Sequence, residues 1–159
     1  MTDEQATALR ALILSQAVGS LGTLHDAEPF VSMVPFALLP DGQGFVVHVS
    51  RLASHTKDMQ ADPRVSLMVM AVPSPEVPPQ ALARVTVQAQ ALTLAPEASG
   101  HDAARMAYLA RFPQAEPMFG FGDFSLVQLT PRAFRFVGGF AQAWSGSFES
   151  FRAALASER

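Results

Sequence analysis

Residues 82–94 alternate without a break: Ala83, Val85, Val87, Ala89 and Ala91 fall on one side, and Arg84, Thr86, Gln88 and Gln90 on the other. Successive side chains of a strand point to opposite faces, so a period of two fits a strand and not a helix. One face must pack on a core. The other meets water, a ligand or a second subunit.

The other strand signals are shorter. Residues 18–25 (VGSLGTLH) mix glycine with apolar residues, as expected where a strand bends or another backbone comes close. Residues 28–39 (EPFVSMVPFALL) are apolar on both alternating faces and read as a central strand covered on both sides, with Pro35 at a bulge or edge where no ladder donor is needed. Pro40-Asp41-Gly42-Gln43-Gly44 supplies the fixed φ and permissive glycines of a hairpin loop. Residues 45–50 form the next strand, and 53–61 form a short helix that Asp62-Pro63 ends, because the residue before proline disfavours the α region. A strand over 64–72 precedes a stiff connector containing Pro73, Pro75, Pro78 and Pro79. Two short strands, 125–129 and 134–137, are separated by Thr130-Pro131, and Gly138-Gly139 ends the second.

Helices lie at the ends and in crossovers. Thr2 and Gln5 have capping-box spacing before an amphipathic run over 3–16. Ala103, Met106, Ala107 and Ala110 recur at helical intervals within 97–112, which Pro113 closes. Ser147 can cap a terminal helix reaching Leu155. Hairpin-linked strands with peripheral helices make an α+β or small-barrel domain rather than a parallel βαβ sheet, and 159 residues suit one domain over 1–159.

Composition narrows the function. The apolar fraction is 49% against 16% charged residues, a surplus spread along strands that points to a buried subunit interface and hence a homodimer. A net charge of -3 with scattered basic residues argues against a nucleic-acid partner. Without cysteine, disulfides, thiolate chemistry and cysteine-ligated metals are excluded. The first residues lack the basic start of a secretory signal, and no apolar run nears the roughly 20 residues of a membrane helix, so the expectation is a soluble, cytoplasmic protein.

Ser50, Ser54, His55, Thr56 and Lys57 gather where the 45–50 strand hands over to the short helix, and Lys57 is the only lysine in the chain. Unpaired N–H groups and the helix dipole favour an anion at such a terminus, and hydroxyls with a cation add donors. The alternative is ordinary capping, with the hydroxyls serving the helix and His55 and Lys57 left in solvent. Neither a Walker phosphate loop nor a Gly-x-Gly-x-x-Gly fingerprint is present. The histidines His25, His48, His55 and His101 are dispersed without a short ligand pair, and His48 reads as a satisfied strand residue. Phe119, Phe121 and Phe124 in FGFGDF read as packing.

The run PFVSMVPFALLPDGQGFVVHVSRLASHTKDMQADPRVSLMV, then LARVTVQAQA, and later FGDFSL and FRFVGGFAQAW, resembles the pyridoxamine 5′-phosphate oxidase-like FMN-binding split-barrel superfamily, and within it the branch that includes haem-utilisation proteins. The likeness covers residues 15–145 and is most specific at Ser50-x-Leu52-x-x-His55-Thr56-x-x-Met59 leading into Asp62-Pro63-Arg64-x-Ser66. It implies a six-stranded antiparallel split β-barrel of Greek-key type with peripheral helices, normally a homodimer with FMN in two clefts at the subunit interface. It puts Ser50, Ser54, His55, Thr56 and Lys57 around the FMN phosphate, runs Ser32, Met33, Val34 and Pro35 beside the isoalloxazine ring, and gives Arg84 a flavin-contacting position. Trp144 is expected near the cleft.

Three departures stand against that pattern. Asp58 replaces the usual Asn of this branch and is expected to bring a carboxylate near the phosphate; Ala89 replaces a frequent Gly; and the chain ends at Arg159 without the C-terminal domain that accompanies haem handling in longer relatives. The resemblance implies an FMN-dependent oxidoreductase acting on a small substrate. A flavin-binding sensor or carrier without turnover, and a haem-binding protein, are the alternatives.

Overall fold

The computed structural model describes residues 1–139 and 142–156. Helix α1 (Asp3–Ser15) starts where its capping box places it: the Thr2 hydroxyl accepts from the Gln5 N–H at 3.2 Å, and the Gln5 side chain accepts from the Thr2 N–H at 2.9 Å. Leu9, Leu12 and Ile13 on its inner stripe are buried. Strands β1 (Val18–His25) and β2 (Glu28–Pro35) pair as a hairpin closed at His25 and Glu28, whose two turn residues, Asp26 and Ala27, have φ of 50° and 66°. Such mirror-image turns match the twist of the flanking strands.

A short β3 (Ala37–Leu38) leads through a 3₁₀ turn at Pro40–Gly42 into β4 (Phe45–Ser50), then α2 (Ser54–Ala61) and β5 (Arg64–Met70). The long alternating segment is β6 (Arg84–Leu94), with Val85 and Val87 fully buried and Thr86, Gln88 and Gln90 exposed. Helix α3 (His101–Arg111), a 3₁₀ segment over Pro113–Gly120, β7 (Phe124–Gly139), β8 (Gln142–Ser147) and α4 (Phe148–Ala156) complete the order. The Ser147 hydroxyl accepts from the Ser150 N–H at 3.5 Å, the capping contact its position promised.

All strand pairs are antiparallel, in the order β2-β1-β5-β6-β7-β4-β3 with β8 beside β7. The two ends of that path, β2 and β3, are separated in the chain by Phe36 alone. The sheet must therefore curl so that its two ends come near each other without pairing, which is the split-barrel form. Inside it, Phe36, Phe45, Phe134 and Phe151 pack edge to tilted face around α4, with Phe36 and Phe45 at 5.5 Å and 88°. A smaller core under α3 holds Val46, Leu94, Tyr108 and Leu126. No helix among the described residues is long and apolar enough to cross a membrane.

The structure corrects the strand plan in three places. The described residues form eight strands rather than six. Residues 28–39 do not form one covered central strand: they split into β2 and β3, and β2 is a largely exposed edge, where the missing N–H of Pro35 costs nothing. The segments around Thr130-Pro131 are a single strand, β7, because a bulge opposite Gln88 and Ala89 absorbs the proline. Gly138 and Gly139 continue that strand into its pairing with β8.

Candidate functional site

The β4–α2 turn is built from its own hydroxyls. Ser50 Oγ donates to Asp123 Oδ2 at 2.8 Å and accepts from the Leu52 N–H at 3.1 Å, while the buried Thr56 donates to the Ser50 carbonyl at 2.6 Å. Both hydroxyls are thus spent on the turn itself. The N-cap residue of α2 is Ala53, and no side chain caps the helix. That overturns capping as the role of these hydroxyls. The N–H groups of Thr56 and Lys57 bond back to the Ala53 carbonyl, and those of Ser54 and His55, the first two residues of the helix, have no partner among the described residues. Ser54 and Lys57 are exposed on the same first turn, and the Lys57 ammonium has no ion pair or hydrogen bond among the described residues.

His55 turns from that end of α2 toward β2, where its Nδ1 lies 3.1 Å from Ser32 Oγ. Burial pushes the His55 imidazole below its ordinary value, against a weaker opposing pull from Asp58, so the ring is neutral near pH 7. Ser32 and His55 are 23 residues apart in the chain and meet because α2 packs over the β1–β2 hairpin.

Asp58 does not face this end of the helix. Its buried carboxylate accepts from Thr23 Oγ1 at 2.9 Å and pairs with His25 Nδ1 at 2.7 Å, fastening α2 to β1. Burial pulls the carboxyl upward, but the hydrogen bonds from His25 and Thr23 outweigh it and hold it below the usual carboxylate range. The hydrogen bond to Asp58 and its charge raise His25 above 6.5. The stability that a raised histidine contributes is fully present below its unfolded value and is lost as pH rises through its folded value; a depressed carboxylate does the reverse, losing its contribution only in acid. The melting temperature is therefore expected to fall from about pH 6 to about pH 9 by an increment that His25→Asn lacks. Parallel curves for the two proteins would remove His25 from the fastening.

The residues singled out in β2 divide by face. Val34 is buried at 1% exposure, whereas Met33, at 63%, and Pro35 point outward. Arg84 begins β6 and donates to the carbonyls of Leu82 and Gln80; β1 and β5 lie between it and β2, so one chain does not bring it to Ser32 and His55. Trp144 packs on Phe136 at 4.3 Å, away from α2. His48 is not a satisfied strand residue: its buried Nδ1 has no hydrogen-bond partner among the described residues, its ring stacks on Phe119 at 3.9 Å and 6°, and burial lowers its pKa to about 4.

Sequence reasoning missed Thr23, His25 and Asp123. Thr23 and His25 stand two apart on one face of β1, the only local signal available.

The model of the pyridoxamine 5′-phosphate oxidase family matches residues 6–138. The non-canonical heme oxygenase HOZ of Arabidopsis thaliana, a chloroplastic protein, is 35% identical over 144 residues, covering 89% of this chain and 42% of that protein. A heme binding protein from Mycobacterium smegmatis superposes with a TM-score of 0.83 at 34% identity, over 96% of this chain and 61% of that one. The chain thus spans less than two thirds of either relative. A Clostridium acetobutylicum protein related to general stress protein 26 shares the fold alone, with a TM-score of 0.71 at 10% identity over 95% of this chain and 99% of that one.

Proposed function

Because the chain belongs to the pyridoxamine 5′-phosphate oxidase family, we propose that it is an FMN-binding flavoprotein, an oxidoreductase acting on a small substrate, with the FMN phosphate at the start of α2. The observation that carries this reading is the uncapped helix end: two unpartnered N–H groups beside an unpaired Lys57. Ser54, His55 and Lys57 hold the phosphate. Ser50 and Thr56 shape the turn beneath it, through the bonds they make to Asp123 and to the Ser50 carbonyl. Charge-assisted hydrogen bonds of about 1.5–3 kcal/mol each make a few such contacts sufficient.

Ser32, Met33, Val34 and Pro35 run beside the flavin ring, with Val34 anchoring that backbone in the core. The ring system supplies the hydride or electron transfer, and the chain's task is to orient it and keep water from it. Apolar side chains on the outer face, Val31 at 67% exposure and Met33 at 63%, fit a homodimer that brings Arg84 of a second copy toward the cleft.

Haem is the second reading, favoured by the likeness to the plant non-canonical heme oxygenase and the mycobacterial heme binding protein. His25 and His55 spend Nδ1 on Asp58 and Ser32, which leaves Nε2 as the nitrogen either ring would offer iron, whereas His48 lies stacked on Phe119.

Titration of the purified protein with FMN, followed by quenching of flavin fluorescence, tests the first reading. Binding with Kd below about 100 μM is expected, and none at that concentration sinks it. A Soret band developing on haem addition while FMN is ignored would establish the second. Anaerobic bleaching of the bound flavin by NADH or NADPH separates an enzyme from a carrier or sensor.

A further inference from the structure

In the β6–β7 ladder Gln88 faces Ala133 and Ala89 faces Pro131, so Arg132 faces no residue. A bulge of this kind leaves one residue unpaired and re-aims its side chain. Arg132 is exposed and, among the described residues, makes no hydrogen bond or ion pair, whereas every other described arginine donates to a backbone or side-chain oxygen. The bulge therefore presents an uncommitted guanidinium.

It presents it to a depression on the outer face of the sheet. Gly22, Ser66, Gln88 and Ala133 stand opposite one another in a single row across β1, β5, β6 and β7. Three of the four side chains are small or absent, which hollows the surface into a cavity of about 680 Å³. Leu24 and Pro29 give it apolar walls. The Ser66 hydroxyl and the Gln88 amide line it with no hydrogen-bond partner among the described residues. Arg64 also lines it, but Asp62 already holds that guanidinium through Nε at 2.9 and 3.1 Å. No carboxylate lines the cavity.

We propose that this depression is a binding site for a small organic acid with an apolar body, whose carboxylate or phosphate pairs with Arg132 while Ser66 and Gln88 hydrogen-bond to its polar edge. The volume suits one such molecule. An uncommitted planar guanidinium suits bidentate capture of either acid group. Ala89, which departs from a frequent Gly in the resembled family, is 3% exposed and belongs to this wall rather than to the start of α2. The site does not depend on the flavin reading, since none of Ser54, His55 and Lys57 lines it.

The test follows backbone amide shifts of the full chain during separate titrations with 2-naphthoate, 2-naphthyl phosphate and the neutral 2-naphthalenemethanol, with and without saturating FMN. Gly22, Ser66, Gln88 and Ala133 are expected to shift with at least one of the acids, and that acid is expected to bind at least about tenfold more tightly than the neutral alcohol. Whichever acid binds more tightly identifies the preferred group. Arg132→Gln is expected to weaken the acid at least about tenfold without lowering the melting temperature, and Arg135→Gln to leave it unchanged. Equal binding of acid and alcohol, shifts confined to other residues, no binding, or an Arg132→Gln variant that binds like the original protein would each overturn the site, whatever FMN does.

Discussion

Gly44→Ala is expected to destabilise the chain by about 3–5 kcal/mol, a large fraction of the roughly 5–15 kcal/mol that holds a typical domain together. Gly44 has φ of 122°, a region costly for any residue with a Cβ. The added carbon would also run into the Leu129 carbonyl oxygen and lie 2.6 Å from Cδ of Pro131, both on β7 and neither free to move aside. The Gly44 carbonyl accepts from the Leu39 N–H at 2.8 Å, so the residue closes the β3–β4 hairpin at the same time. Gly100 supplies the control: its φ is 93°, but nothing lies within 4 Å of a Cβ there, so Gly100→Ala carries the backbone strain without the collision. Urea midpoints for the two variants isolate the collision as their difference. Unfolding free energies from those titrations within about 1 kcal/mol of each other would mean that β4 and β7 can yield at this point, and that the register of the turn is softer than its geometry implies.

Where a residue's environment is local, the sequence discloses it. The Thr2–Gln5 box, the Pro40–Gly44 turn and the two faces of β6 each depend on neighbours within a few residues, and each folds as its pattern dictates. β2 was misjudged because an apolar edge strand and an apolar central strand look alike until the strand order is known, and Phe36 as sole link between the sheet's two edges fixes that order only in three dimensions. Pro131 looked like a break because a proline in an interior strand usually is one; the bulge that accommodates it is a property of the pair β6 and β7. The site divides in the same way. Hydroxyls and a lone lysine at a strand-to-helix junction were visible as a cluster, but their distribution of work was not. Ser50 and Thr56 build the turn, and Asp58 serves Thr23 and His25, 35 and 33 residues away. An acidic residue in a proposed anion-binding turn looks like an error until its side chain is seen to leave toward Thr23 and His25 on β1.

That division of labour sets the expectation for the double variant His55→Ala with Lys57→Ala: FMN affinity falls by about 2–5 kcal/mol, from roughly 30-fold to several thousand-fold, while riboflavin, which lacks the phosphate, binds as before. The two side chains contribute differently. Burial keeps His55 neutral near pH 7, so it acts as a hydrogen-bond donor held in place by Ser32, whereas Lys57 brings the charge. The deficit of Lys57→Ala alone is therefore expected to shrink in high salt, where exposed charges are screened, and that of His55→Ala alone to persist. Since Ser54 and the free N–H groups of α2 remain in the double variant, residual FMN binding is expected rather than none. Fluorescence titrations with both ligands at two salt concentrations decide the matter. Equal losses for FMN and riboflavin would place the two side chains against the ring instead of the phosphate; unchanged FMN affinity would leave them in solvent and remove the start of α2 from the site.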